Sequence, residues 1–190
     1  MKERVALFDL DGTLADYAGQ LAIEFNKIKH PTEPIYTADN FGQHERNPDF
    51  FEARRAEITS HGEFWEKLQP LADGFKIFRM CEKIGFRPMV LTQGPATKPE
   101  AWSHKVIWCQ KHLPGVDITI TRDKGLVYGR VLVDDWPEYA LRWLEHRPRG
   151  LVVMPGRTWN ATVSHPNIFR THADNYHELE QALLMAYNRE

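Results

Sequence analysis

Asp9 and Asp11 stand one residue apart where the apolar run Val5-Ala6-Leu7-Phe8 stops, and Gly12-Thr13 follows at once. Residues at i and i+2 of an extended chain project to the same side, so the two carboxylates crowd each other. Like charges that close are costly unless a positive group sits between or beside them. A site that holds Mg2+ and a phosphate has use for both, one carboxylate to bind and attack and the other to move protons. Further along, a hydroxyl at Thr92 beside Gln93, an ammonium at Lys124 and a second acidic pair at Asp134-Asp135 stand at or near the ends of other apolar runs.

Those runs are the elements that must position the side chains. Residues 88–92, 116–120, 131–135 and 151–154 resemble the first run, each bounded by turn or charge signals. Uninterrupted rather than alternating apolar residues predict strands buried on both faces, as in a mostly parallel sheet. Helical patterns lie between them at 73–84, 98–112 and 136–146, and a final amphipathic one at 175–187 opens with Asn175 and Glu178 as a capping pair. Strands alternating with helices predict an α/β, doubly wound, Rossmann-like fold. The stretch 16–70 breaks the rhythm with a helix over 16–29, a Pro-rich passage and an aromatic, charged segment. It reads as a small helical cap inserted after the first strand, with residues 1–15 and 71–190 forming the core domain. In such sheets ligands bind at the carboxyl ends of strands, where the acids lie, so the cap emerges beside them.

Composition narrows the function classes. A chain of 190 residues with 42% hydrophobic and 26% charged residues suits one well-buried core with a modest insertion. A formal charge of −2 gives no reason to expect a nucleic-acid surface. No apolar run approaches the roughly 20 residues needed to span a bilayer, so no membrane partner is expected. Met1-Lys2-Glu3-Arg4 runs straight into the first strand without the pattern of a secretory signal, so a cytoplasmic protein is expected. Cys81 continues a stripe with Phe75, Phe78 and Ile84, and Cys109 one with Trp102, Val106 and Leu113, so both thiols read as small core side chains. The nine histidines are scattered, which argues against a zinc site.

Asp9-Leu10-Asp11-Gly12-Thr13 resembles the first motif of the haloacid dehalogenase (HAD) superfamily of phosphohydrolases. Thr92 in Leu91-Thr92-Gln93-Gly94, Lys124, and Asp134-Asp135 match its second, third and fourth motifs in order. The resemblance implies that Asp9 attacks phosphorus to form an aspartyl-phosphate, while Asp11 protonates the leaving oxygen and then activates water. It also implies Mg2+ held by Asp9, the backbone carbonyl of Asp11, and Asp134, with Thr92, Gln93 and Lys124 on the phosphate. Asp135 would orient Lys124 or a metal-bound water. Lys105, on the helix after Thr92, is a rival for the third-motif lysine; its other reading is a solvated helix face.

The chain is more closely similar to the 5'(3')-deoxyribonucleotidase-like family. Ala15-Asp16-Tyr17, the stretch 102–112, Ile120-Thr121-Arg122-Asp123-Lys124, Leu132-Val133-Asp134-Asp135, Trp159-Asn160 and Asn175-Tyr176-His177-Glu178-Leu179 carry that resemblance. It implies a small phosphate ester as substrate, a nucleoside monophosphate and in particular a deoxynucleotide, with a homodimer left open. Gln93 departs from the family, which tends to place a small hydroxyl or Asn after the second-motif residue. Tyr17, Phe41 and Trp65 are candidates to stack a base and Lys98 to touch substrate; the other reading of the aromatics is packing of the cap. Another small phosphate ester or a polynucleotide 3'-phosphate is the alternative substrate, and a non-catalytic binding module the alternative class. Intact Asp9, Asp11, Thr92, Lys124 and Asp134 argue against the last.

Overall fold

The structure is a computed structural model that describes residues 3–40, 48–96 and 98–190. Six strands form one all-parallel sheet in the order β3-β2-β1-β4-β5-β6. They are β1 (Val5–Phe8), β2 (Arg87–Gln93), β3 (Ile118–Thr121), β4 (Val131–Val133), β5 (Leu151–Pro155) and β6 (Ile168–Thr171). The helices are α1 (Tyr17–Ile28), α2 (Pro48–Ile58), α3 (Gly62–Glu66), α4 (Ala72–Ile84), α5 (Pro99–His112), α6 (Pro137–His146) and α7 (Tyr176–Asn188).

Alternation along the strands builds two cores. Ala6, Phe8, Val90, Val131, Val133 and Val153 face helices α4, α5 and α7 through Ile77, Phe78, Trp108 and Leu183. Val5, Leu7, Leu91, Leu132, Val152 and Met154 face α6 through Ala140, Trp143 and Leu144. Because both faces are covered, the strands are apolar at successive positions. The doubly wound α/β fold expected from the sequence is the one found. Cys81 and Cys109 are both buried, as expected, and burial pushes each thiol up to about 12.

Three local expectations need correction. The sequence pattern does not predict strand β6, a short edge strand, mostly half-buried, whose Ile-Phe-Arg-Thr sequence lacks an apolar run. Asn175 does not cap α7 with its side chain, which accepts from His172 N at 2.8 Å and donates to Arg170 O at 3.0 Å. The buried face of α5 is Ala101, Lys105, Trp108 and Cys109, one position away from the stripe through Trp102 and Val106. The reason is that Lys105 is itself part of the buried face.

β1 lies at the centre, between β2 and β4, where the direction of winding reverses. Its end is therefore the switch point at which α/β sheets bind ligands. The chain leaves the core beyond Ala15 and returns at Pro70 as an antiparallel bridge, with Asp16 N donating to Gln69 O and Leu71 N to Leu14 O, at 2.8 and 2.9 Å. Helices α1, α2 and α3 lie between those points and overhang the end of β1. Asp16 starts α1 by accepting from Gly19 N at 2.9 Å, which sets Tyr17 at the first turn. Among the described residues, no helix is long and apolar enough to cross a membrane.

Candidate active site

The residues after β1 and β4 are drawn together by the sheet register. Asp9 N donates to Val133 O at 2.8 Å and Asp134 N to Val153 O at 3.1 Å, so both acids extend the parallel ladder by one residue. Carboxylate oxygens of Asp9, Asp134 and Asp135 all lie within 4.8 Å of one another, and all three residues are buried. Lys124 sits between two of them, its Nζ 2.7 Å from Asp9 Oδ1 and 2.8 Å from Asp134 Oδ2. It comes from a 3-10 turn (Lys124–Leu126) that Asp123 begins by accepting from Gly125 N at 2.8 Å.

Asp11 points to a different cation. Its Oδ2 accepts from Lys105 Nζ at 2.5 Å, and Lys105 also donates to Thr92 Oγ1 at 3.2 Å and Gln93 O at 2.9 Å. The reading of Lys105 as a solvated residue is thus overturned: it is 2% exposed and ties the ends of β1 and β2 together. Asp11 Oδ1 is buried with no partner. Four carboxylates (Asp9, Asp11, Asp134, Asp135) and two ammonium groups (Lys105, Lys124) therefore share this end of the sheet.

Burial dominates the electrostatics. It pushes Asp134 up to about 8, with Lys124 pulling down and Asp9 and Asp135 adding to the rise. Asp135 is pushed up to about 7, again by burial first and by the Asp9 charge next. Asp11 is raised by burial, against Lys105, and further by Asp9. Burial alone would lower the Lys124 ammonium; Asp134 and Asp9 outweigh it and hold it well above the ordinary lysine range. Carboxylates kept this far above their usual range are short of positive charge. Hard, anionic oxygen donors in a tight group are the donor set Mg2+ takes, so the residues fit that ion.

The loop after β5 supports the acids from behind. Trp159 Nε1 donates to Asp135 Oδ2 at 3.0 Å, and Asn160 Nδ2 to Asp135 O at 2.9 Å. Thr13 Oγ1 donates to Asp135 Oδ1 at 2.9 Å. Of the two roles expected for Asp135, orienting Lys124 is not the one its contacts serve, because its hydrogen bonds go to Thr13 and Trp159 and those of Lys124 to Asp9 and Asp134; orienting a metal-bound water stays an expectation. Gly12 is required twice over: its φ is +79°, and an added Cβ would meet the Asp135 carboxylate at 2.5 Å.

A cleft of about 770 Å3 opens over these groups. Asp9, Asp11, Thr92, Gln93, Lys98, Lys105, Lys124, Asp135, Tyr17 and Trp65 all line it, whereas Asp134 lies beneath. Phe41 lies outside the described residues. The cap aromatics mostly pack on one another, Tyr17 on Phe64 and Trp65 at ring separations of 5.5 and 5.7 Å and Phe25 on Phe51 at 4.9 Å. Lys98 donates to Ala56 O and to Thr59 Oγ1, so it joins the loop after β2 to α2. Sequence reasoning missed the cleft residues Arg55, Trp136 and Tyr139, which no motif marks, and gave no role to Arg122, which lies within the Thr121-Arg122-Asp123-Lys124 stretch. The Trp159-Asn160 pair carries the family resemblance without a role in the sequence; its grip on Asp135 supplies one.

The sheet order, with acids at its switch point and a cleft above them, is a fold shared by solved structures of HAD hydrolases. A HAD family hydrolase from Deinococcus radiodurans, crystallised with phosphate and sodium, superposes with a TM-score of 0.57 at 13% identity, over 96% of this chain and 97% of that one. A HAD-superfamily hydrolase from Geobacter sulfurreducens gives 0.52 at 12% identity, over 94% and 100%. Residues 3–188 match the family described as 5' nucleotidase, deoxy (pyrimidine), cytosolic type C protein, and the chain belongs to that family of phosphomonoester hydrolases. Proteins of Bordetella bronchiseptica and Bordetella pertussis, each provisionally named 5'(3')-deoxyribonucleotidase, are 30% identical over 138 residues, 69% of this chain and 73% of theirs.

Proposed function

We propose that the protein is a Mg2+-dependent phosphatase of nucleoside monophosphates, with 5'(3')-deoxyribonucleotides as its substrates and Asp9 as its nucleophile. The observation that carries the reading is the convergence of Asp9, Asp134, Asp135 and Lys124 beside a separately held Asp11. Asp9 and Asp134, with Asp135 and the backbone carbonyl of Asp11, would hold Mg2+. The ion would supply positive charge that lets a dianionic phosphate approach these carboxylates.

Each side chain then has a task. Asp9 attacks phosphorus, its oxygen forming the new P–O bond as the bond to the substrate alcohol breaks. Asp11 delivers a proton to that departing oxygen; its raised affinity for protons, set by burial, suits it to start as an acid. It then takes a proton from the water that hydrolyses the aspartyl-phosphate, releasing phosphate and restoring Asp9. Thr92, Gln93 and Lys124 would hold the phosphate oxygens, and Lys105 supports Thr92 and Asp11 in place. The group beyond the phosphate would face Tyr17, Phe51, Trp136 and Tyr139, and a cleft of about 770 Å3 is of the size that takes a nucleotide. The names of the Bordetella relatives support the deoxynucleotide.

Phosphate release from a panel of 5'- and 3'-(deoxy)nucleoside monophosphates and sugar phosphates tests this. Deoxynucleotides should be hydrolysed fastest, and only with Mg2+ present. A folded, Mg2+-loaded protein that releases phosphate from no member sinks the proposal; one that prefers sugar phosphates corrects its substrate.

A further inference from the structure

Asp11 needs its free oxygen aimed at one place, yet it sits on a turn with a positive-φ glycine next to it. Lys105 fixes the other carboxylate oxygen. A single ammonium on a flexible stem sets a distance but not the plane of a peptide. The backbone of the turn is held elsewhere: Gly12 N donates to Ala15 O at 2.8 Å, and the carbonyl of the next peptide, Gly12–Thr13, is taken by Arg157, which follows β5 in the loop Gly156–Arg157. Its Nε and Nη2 donate to Gly12 O at 3.1 and 2.9 Å, and its Nη1 and Nη2 to the Asp73 carboxylate on α4 at 2.7 and 3.3 Å. The guanidinium thus grips one carbonyl with two donors and is itself gripped by a carboxylate, the forked geometry that only arginine offers.

The clamp is in turn held rigid. Arg157 N donates to Asn160 Oδ1 at 2.9 Å, Arg170 Nη2 donates to Arg157 O at 3.0 Å, and Asn160 Nδ2 carries on to Asp135 O. The side chain is 17% exposed. A surface ion pair with Asp73 alone would not need two donors on Gly12 O.

We infer that Arg157 is a positioning residue for proton transfer: by fixing the Gly12 carbonyl it aims Asp11 at the leaving oxygen. This rests on the reading of Asp11 as the acid. Departure of an alkyl alcohol needs the proton; departure of 4-nitrophenolate does not. Loss of the clamp therefore lowers kcat/KM for a nucleotide and spares kcat/KM for 4-nitrophenyl phosphate. A merely structural role would lower both together.

The experiment measures kcat/KM of the full chain with Mg2+ on both substrates, for the wild type, Arg157→Lys and Asp73→Asn. Thermal unfolding curves are recorded alongside. Arg157→Lys keeps the charge and loses the fork; it should lose about 30-fold or more on the nucleotide and less than about 3-fold on the aryl ester. Asp73→Asn, which leaves the bonds to Gly12 in place and loosens their anchor, should show the same selectivity at about 3- to 10-fold, and it decides the matter should Arg157→Lys unfold. Equal losses on both substrates, or no loss on either, overturn the inference. A wild type inactive on both substrates refutes instead the function on which it rests.

Discussion

Replacing Lys124 by Met removes the ammonium that separates Asp9 from Asp134. Its Nζ is 2.7 and 2.8 Å from their oxygens, and the three side chains are 1%, 7% and 0% exposed. At an effective dielectric of about 20, each contact has a gross attraction of about 6 kcal/mol. Most of that is offset by the cost of burying the charges, and removing one partner of a buried pair costs about 3–5 kcal/mol in practice, because the other charge is left uncompensated. For a chain of this length each kcal/mol shifts Tm by about 2–4 °C, so Lys124→Met should melt roughly 6–20 °C lower at pH 8 in EDTA. The same loss should shrink on adding Asp134→Asn, which removes one of the stranded charges. It should also shrink at pH 5.5, where Asp134, already raised to about 8, is protonated. Differential scanning calorimetry of the four proteins at two pH values reads all of this. A Lys124→Met protein melting within 2 °C of wild type at pH 8 would falsify the claim that carboxylate crowding governs this site.

Metal and pH should act against each other. Burial raises Asp134 to about 8 and Asp135 to about 7, above their unfolded values near 3.8. Each therefore contributes stability that is full below pH 3.8 and lost as pH rises through 7 to 8. Metal-free protein should lose Tm between pH 5.5 and 8.5, and the Tm gain from Mg2+ should grow over the same range because the ion competes with those protons. A gain that is flat with pH contradicts the assignment. Gly12→Ala places a side chain at φ +79° and a methyl against Asp135. The backbone alone costs about 1–2 kcal/mol, read by urea unfolding, and phosphate release should fall at least about 10-fold.

What the sequence revealed follows from the physics of each residue. Asp9, Asp11 and Asp134 were legible because a strand end followed by acids is an electrostatic oddity that few structural roles explain. The strands were legible because central parallel strands are apolar at every position. Strand β6 was not, since an edge strand is solvated on one side and its four residues mix Ile and Phe with Arg and Thr. Lys105 was misread for a related reason. A lysine on a helix counts as polar, so the apolar periodicity of α5 points to the wrong side of Lys105. Arg157 carries no local signal; its partners, Gly12 and Asp73, are 145 and 84 residues away along the chain. Long-range clamps of this kind appear only when the sheet brings loops together.

The most direct test of the central claim, that Asp9 attacks and Asp11 moves protons, is a rapid-mixing measurement of 4-nitrophenol release from 4-nitrophenyl phosphate with Mg2+. Wild type should turn over steadily. Asp11→Asn should release close to one equivalent per site and then nearly stop, because the aryl leaving group departs without an acid while the aspartyl-phosphate lacks its base. Asp9→Asn should release none while keeping its fold. Near-native release by Asp9→Asn, or steady turnover by Asp11→Asn with no burst, would contradict the account.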